Sequence, residues 1–393
     1  MSTKIDPKLM RDLEQFGLRD AKKCYHCGNC TATCPLSTPD NQFPRKLIRY
    51  AQLGLKDEIE KSAEPWLCYY CGDCSVKCPR GADPGEAMMA MRRYLTSRYD
   101  WTGFSRRFYT SEIFEVVAVL VVALLVGAGL YYFHAPTPNL EHAHLNSVWP
   151  AESLEIADLT MFAVLSILLL SNTWRCVRFV MGDLLSKVPL GVYLGEAKEL
   201  VVHFLTQKKF AECEDRTSWT VHLLIMTGYS IIFFLVVVLL AGGIKLVGLA
   251  WEPIAFQRDV VYPLIHPVRL LGYYATFAIM YGTTYAIIQR LKKKKPQYKH
   301  SHSTDWMFLI LLQATTVTGI VVHFTRLLDL PMVTYVLYTV HLMVAVPMLV
   351  LEVPFAKWAH LAYRPVVLYL TGVKEAYAKS QTAQTAESAS PAS

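Results

Sequence analysis

Two runs of cysteine share one spacing, Cys24-x-x-Cys27-x-x-Cys30-x-x-x-Cys34-Pro35 and Cys68-x-x-Cys71-x-x-Cys74-x-x-x-Cys78-Pro79, and together they use eight of the ten cysteines. Three thiolates two residues apart can wrap one cubane iron–sulfur cluster, while a fourth, three residues further and followed by proline, is turned toward a second cluster. The spacing therefore predicts crossed ligation. Cys24, Cys27, Cys30 and Cys78 are expected on one four-iron cluster, and Cys34, Cys68, Cys71 and Cys74 on the other. A zinc ribbon also uses paired C-x-x-C units, but it leaves the third and fourth cysteine of each run without a role. Disulfides suit neither these short spacings nor a reducing compartment. No C-x-x-C-H occurs, so no c-type haem is expected. Cys176 and Cys213 read as ordinary free thiols.

Histidine is the second ligand type with a pattern. His222, His341 and His360 fall inside long apolar stretches, where a polar group is costly and is a functional candidate by default. His341 and His360 are 19 residues apart, about 28 Å along a helix, nearly the hydrocarbon thickness. One helix could thus carry a haem ligand near each membrane face. Depth pairs His222 with His360, and offers His323, then His266, as a partner for His341. His134, His142, His144, His203, His300 and His302 are expected in solvated connections.

The elements that must hold these residues follow from hydropathy. Hydrophobic residues make up 53% of the 393, in long runs free of charge, which points to an integral membrane protein. Six stretches reach the roughly 20 residues a membrane helix needs: Ile113–Phe133, Leu154–Val180, Trp219–Leu249, Arg269–Leu291, Trp306–Leu328 and Val333–His360. The first begins too late for a secretory signal. The net charge of +7 does not point to nucleic acid, because its lysines and arginines flank the spans. Arg106, Arg107, Arg175, Arg178, Lys208, Lys209, Arg216 and Lys292–Lys295 fall on one side, whereas the loop Ala135–Ala151 has no basic residue and Lys245, Arg258 and Arg269 are scattered. Positive residues collect in the cytoplasm, so both termini and the cysteine runs are expected there, in the inner membrane of a cell.

Between the runs, Pro44, Leu47, Ile48 and Ala51 with Gly54 read as a helix, and another short helical pattern leads to Trp66. Leu190–Phe210 has an apolar face formed by Tyr193, Leu194, Ala197, Leu200, Val201, Phe204 and Leu205, suited to the inner leaflet or to docking the cluster domain. Glu375–Ser393, rich in Ala, Ser and Thr, reads as a disordered tail. The expected fold is all-α: a helical two-cluster ferredoxin over residues 1–110, a six-helix transmembrane cytochrome b domain over 111–365, and a tail over 366–393.

The flanks V-H-L-M-V, V-P-F-A-K-W-A-H and R-P-V-V-L-Y-L around His341 and His360 resemble the last helix of nitrate reductase gamma-type cytochrome b subunits. That resemblance implies b-type haem ligation by His341, His360 and the partner-helix histidine His222. In that family the partner helix bears a second ligand about ten residues on, where this chain has Ile232. Residues 15–95 resemble the two-cluster subunit of heterodisulfide reductases. The fusion of the two resembles the membrane subunits of quinone-interacting membrane-bound oxidoreductase complexes. It implies menaquinone, two flavin-containing iron–sulfur subunits as partners, and adenylylsulfate reductase as final acceptor in sulfate respiration. No C-C-G motif of the heterodisulfide-cleaving kind is present.

The expected function is electron transfer from menaquinol through one or two haems b and two four-iron clusters to soluble partners. An outer haem would place quinol near His323, Arg326, Asp329 and Tyr338, and charge would then cross the membrane on turnover. The alternative is an anchor for a heterodisulfide-type reductase or hydrogenase working in the opposite direction. A transporter would leave eight cluster cysteines without purpose.

Overall fold

The computed structural model describes residues 4–212, 215–238 and 260–389, and among them every regular element is helical. Cys213, Lys245, Arg258 and the expected end of the third span at Leu249 lie outside the described residues.

Five of the described helices are long and apolar enough to cross a membrane: Glu112–Tyr132, Ala151–Leu184, Arg216–Val236, Ser303–Leu327 and Pro331–Phe355. Their outward faces expose Leu124, Leu125, Ile156, Ile167 and Leu170, a surface that suits lipid rather than water. The expected fourth span is also a helix, Pro267–Lys292, 26 residues long but richer in Tyr. It runs antiparallel to Ser303–Leu327. Near its start, Tyr273 meets His323 at 2.9 Å, and near its end Arg290 lies 4.0 Å from Asp305. Glycines let it approach Arg216–Phe233 closely: a Cβ on Gly228 would come 2.9 Å from Ile279, and one on Gly282 would collide with Ile225. Small residues at helix contacts allow this packing without a hydrophobic driving force.

The expected single helix Val333–His360 is instead broken. Helix Pro331–Pro347 passes into a π-helical turn at Met348–Glu352, a short turn at Val353–Phe355, and a break at Ala356 (φ −127°, ψ −139°). A new helix begins at His360. Pro347 and Pro354 supply the cause, since each removes an amide donor and crowds the preceding turn. The two histidines therefore stand on separate helices.

Helix His360–Ala389 also overturns the expected disordered tail. Tyr363, Val367, Leu370 and Val373 recur at helical spacing and are at most 2% exposed. Beyond them Tyr377 still packs on the core. Alanine and glutamine then continue a helix already nucleated and anchored.

The core of the amino-terminal domain continues into the long helices. Leu13, Phe16, Leu47, Ile48, Ile59 and Trp66 share one apolar cluster with Cys176 and Val180 of Ala151–Met181 and with Tyr363 and Val367. Trp66, Tyr99 and Tyr363 pack ring on ring at its centre, at 5.3 to 6.2 Å. The expected helix between the cysteine runs is Arg45–Leu53, closed by Gly54 at φ 72°. Helix Leu190–Thr206 lies on the carboxy-terminal helix, where Tyr369 Oη donates to Tyr193 O at 2.7 Å. It leaves Leu194, Val201 and Leu205 exposed.

Candidate metal centres

The two cysteine runs adopt one backbone path, offset by 44 positions from Cys24 to Cys68 and from Cys34 to Cys78. In each, a residue at positive φ (His26, 59°; Tyr70, 55°) precedes the second cysteine, and a glycine (Gly28, 92°; Gly72, 91°) follows it. This left-handed backbone favours glycine, and at Gly72 a Cβ would also stand 2.8 Å from Pro296. The chain then enters one-turn helices, Asn29–Thr33 and Asp73–Val76, which pack against each other. Their packing carries the last cysteine of each run to the other run.

Two cavities result. One is lined by Cys24, Cys27, Cys30 and Cys78, with Arg45 and Arg80. The other is lined by Cys34, Cys68, Cys71 and Cys74, with Tyr69 and Tyr70. Each therefore offers a four-sulfur donor set drawn from both runs. Backbone amides already point at sulfur, Tyr70 N to Cys68 Sγ at 3.3 Å and Ala82 N to Cys78 Sγ at 3.4 Å. Burial pushes the Cys34 thiol up to about 11, and it raises Cys30, Cys68 and Cys74 as well. Thiols held protonated in this way are not activated nucleophiles, and a metal bound here would have to displace their protons.

The second cavity faces the membrane helices. Tyr69, next to Cys68, stacks on Phe210 with centroids 5.0 Å apart and planes 18° apart. Phe210 meets His222 at 5.8 Å, and His222 meets His360 at 6.1 Å. Arg364 lies over the Tyr69 ring at 3.7 Å. Arg92 donates to the carbonyls of Pro65 and Cys68, and burial, then Arg364, hold its guanidinium down to about 9.

His222 and His360 come from different helices and converge. His222 Nδ1 lies 2.8 Å from Gln207 Oε1, and His360 Nδ1 lies 2.5 Å from the Lys357 carbonyl. Both partners are acceptors, so each Nδ1 donates and the lone pair rests on Nε2, the arrangement that outer hydrogen bonds impose on metal-binding imidazoles. With centroids 6.1 Å apart, the two rings leave room between them for a metal held by one nitrogen of each at about 2 Å.

The other expected site residues are dispersed. His341 Nδ1 meets Thr318 Oγ1 at 2.9 Å, with its ring against Gly319. His323 Nε2 meets Tyr273 Oη, also at 2.9 Å. No described ring contact joins His341 to another histidine. His266 stacks on Tyr262. Asp329 accepts from Ala143 N at 2.7 Å and pairs with His142 at 2.6 Å, and Tyr338 packs on Trp149 at 5.5 Å, so both serve the loop between the first two long helices. Arg326 stands on the last turn of Ser303–Leu327. His302, expected in solvent, caps that same helix and touches Tyr109.

Sequence reasoning missed a buried ionic chain between the domains. Arg93 binds Glu86 at 3.0 Å and Asp305 at 3.5 Å, Lys357 also binds Asp305, and Tyr70 Oη donates to Glu86 at 2.6 Å. Glu115 and Glu352 are likewise buried, at 1% and 0% exposure. The only signal was an acidic residue within or beside an apolar run.

A model of the 4Fe-4S dicluster domain matches residues 20–82. A protein of Archaeoglobus profundus that is like the C subunit of heterodisulfide reductase is 34% identical over 98 residues, 25% of this chain and 52% of that protein. The iron–sulfur C subunit of the CoB–CoM heterodisulfide reductase of Methanopyrus kandleri is 32% identical over 109 residues, 28% of this chain and 52% of that protein. The C subunit of the H(2):CoB-CoM heterodisulfide,ferredoxin reductase of Methanothermobacter thermautotrophicus is 36% identical over 63 residues, 16% of this chain and 34% of that protein. The chain thus spans about half the length of the first two relatives and a third of the last. No solved structure matches. The amino-terminal part is a 4Fe-4S dicluster domain similar to the C subunit of heterodisulfide reductase. These matches point to an iron–sulfur electron-transfer subunit.

Proposed function

We propose that this chain is the membrane subunit of a menaquinol-linked oxidoreductase, carrying electrons between a b-type haem held by His222 and His360 and two four-iron clusters. Cys24, Cys27, Cys30 and Cys78 hold one cluster in this reading; Cys34, Cys68, Cys71 and Cys74 hold the other. The observation that carries it is the unbroken series of ring contacts from Tyr69, beside Cys68, through Phe210 to His222 and His360. When bound, the clusters and haem supply one-electron transfer. The protein's part is position: Gln207 and the Lys357 carbonyl orient the imidazoles, and the Arg93–Asp305–Lys357 chain fixes the cluster domain on the membrane helices.

Helix Pro267–Lys292 is the sixth crossing in this account. Its ends pair with opposite ends of Ser303–Leu327, and lysines follow its carboxy-terminal end; both support a reading with the chain termini and the clusters in the cytoplasm of an inner-membrane protein. Soluble flavin and iron–sulfur subunits receive the electrons, with adenylylsulfate reductase as final acceptor on the strength of resemblance alone. The reading requires one haem, since among the described residues no ring contact brings a second imidazole to His341.

Replacing His222 with alanine tests it. The purified variant should lose the b-haem absorption assigned to this pair while non-haem iron and acid-labile sulfide stay at the wild-type ratio. An unchanged haem-to-protein ratio would refute the assignment.

A further inference from the structure

The two cysteine cavities differ in the cations around them. At the cavity of Cys24, Cys27, Cys30 and Cys78, Arg80 is exposed and lies over the ring of Tyr25, itself 69% exposed, so its charge is screened by water and salt, and one half-buried guanidinium, Arg45, is held by the His26 carbonyl and Gln42. The membrane-facing cavity instead has two guanidiniums set into protein. Arg92 is tied to the carbonyls of Pro65 and Cys68. Arg364 stands four residues after His360, on the same helical face, and holds its guanidinium 3.7 Å from the Tyr69 ring centroid. Tyr69 and Cys71 both line that cavity.

A cluster on four thiolates is anionic, and each reduction adds a further negative charge. A guanidinium fixed beside it in a low-dielectric setting favours the reduced form, which raises the reduction potential. Water-exposed cations do this weakly.

Resting on the cluster assignment proposed above, we infer that Arg364, with Arg92 behind it, tunes the reduction potential of the cluster held by Cys34, Cys68, Cys71 and Cys74 and leaves that of the other cluster alone. The two arginines are positioning residues in this role. They bond to no iron and act through their charge.

Redox titration of the full-length protein, followed by electron paramagnetic resonance, reads the two clusters separately; the signal altered in Cys71→Ser marks the membrane-facing one. In Arg364→Gln that signal should move to more negative potential, the other should hold its wild-type midpoint, and Arg364→Lys should restore most of the shift because it keeps the charge. If Arg364→Gln does not assemble the cluster, Arg92→Gln decides by the same criterion. Unchanged midpoints in a variant that retains both signals would overturn the inference. Absence of two four-iron signals from the wild-type protein would instead overturn the cluster assignment on which it rests.

Discussion

At the scale of single residues, metal ligands are the most legible part of this chain. Iron–sulfur ligation demands one residue type at fixed spacing, so Cys24 to Cys34 and Cys68 to Cys78 announced a two-cluster domain, and a dicluster family model covers the same residues. The pairing of short helices that carries Cys78 to the first cavity and Cys34 to the second yields a sharp expectation. Cys78→Ser should abolish the same cluster signal as Cys27→Ser, and Cys34→Ser the same signal as Cys71→Ser, each variant losing about half of the cluster iron. Paramagnetic resonance with iron analysis checks it, and grouping of the losses by run would reject crossed ligation. Arg93 and Asp305 were illegible by contrast. They are 212 positions apart, and a buried ion pair leaves no local pattern. His341 has Thr318 on its Nδ1, a partner that no sequence pattern announced.

Elements were legible in existence and less so in continuity. Apolar length located the first span, found at Glu112–Tyr132 against an expected Ile113–Phe133, and the fifth, found at Ser303–Leu327 against Trp306–Leu328. Two elements departed from expectation because tertiary contacts outweighed composition. The carboxy-terminal segment gains helix from the Tyr363–Val373 stripe buried against the cluster domain, and prolines break the last span before His360. The loop between the first two long helices gave no sequence signal, yet it is clasped. Asp329 holds both the ring of His142 and the amide of Ala143. The pair raises the His142 pKa and lowers that of Asp329, each through their mutual hydrogen bond first. The charged clasp is therefore complete between about pH 4 and about pH 6.5, the unperturbed values of the two groups. It weakens as pH rises through the raised His142 value, or falls through the lowered Asp329 value. Hydrogen exchange at the Ala143 amide, corrected for its intrinsic pH dependence, should show protection falling as pH rises from 6 to 8 in the wild type. In Asp329→Asn protection should be lower and nearly flat, and an equal pH dependence in the variant would remove the clasp from the account.

At the scale of the whole molecule, the cluster domain and membrane helices share one apolar core and one buried ionic chain. This joint fixes where the cysteines stand relative to the histidines. It was not legible in sequence, because an apolar cluster shared by Trp66, Cys176 and Tyr363 exists only after the chain has folded back on itself. The arrangement makes sense if electrons must pass between the second cysteine cavity and the His222–His360 pair, for ring contacts already link them through Tyr69 and Phe210. Reduction of the clusters by a menaquinol analogue, in the wild type and in His222→Ala, tests that claim most directly. The account predicts that the quinol reduces the clusters in the wild type, that this reduction is lost or slowed at least tenfold in His222→Ala, and that dithionite reduces the clusters fully in both. Clusters in His222→Ala that accept electrons from the quinol as fast as those of the wild type would contradict it.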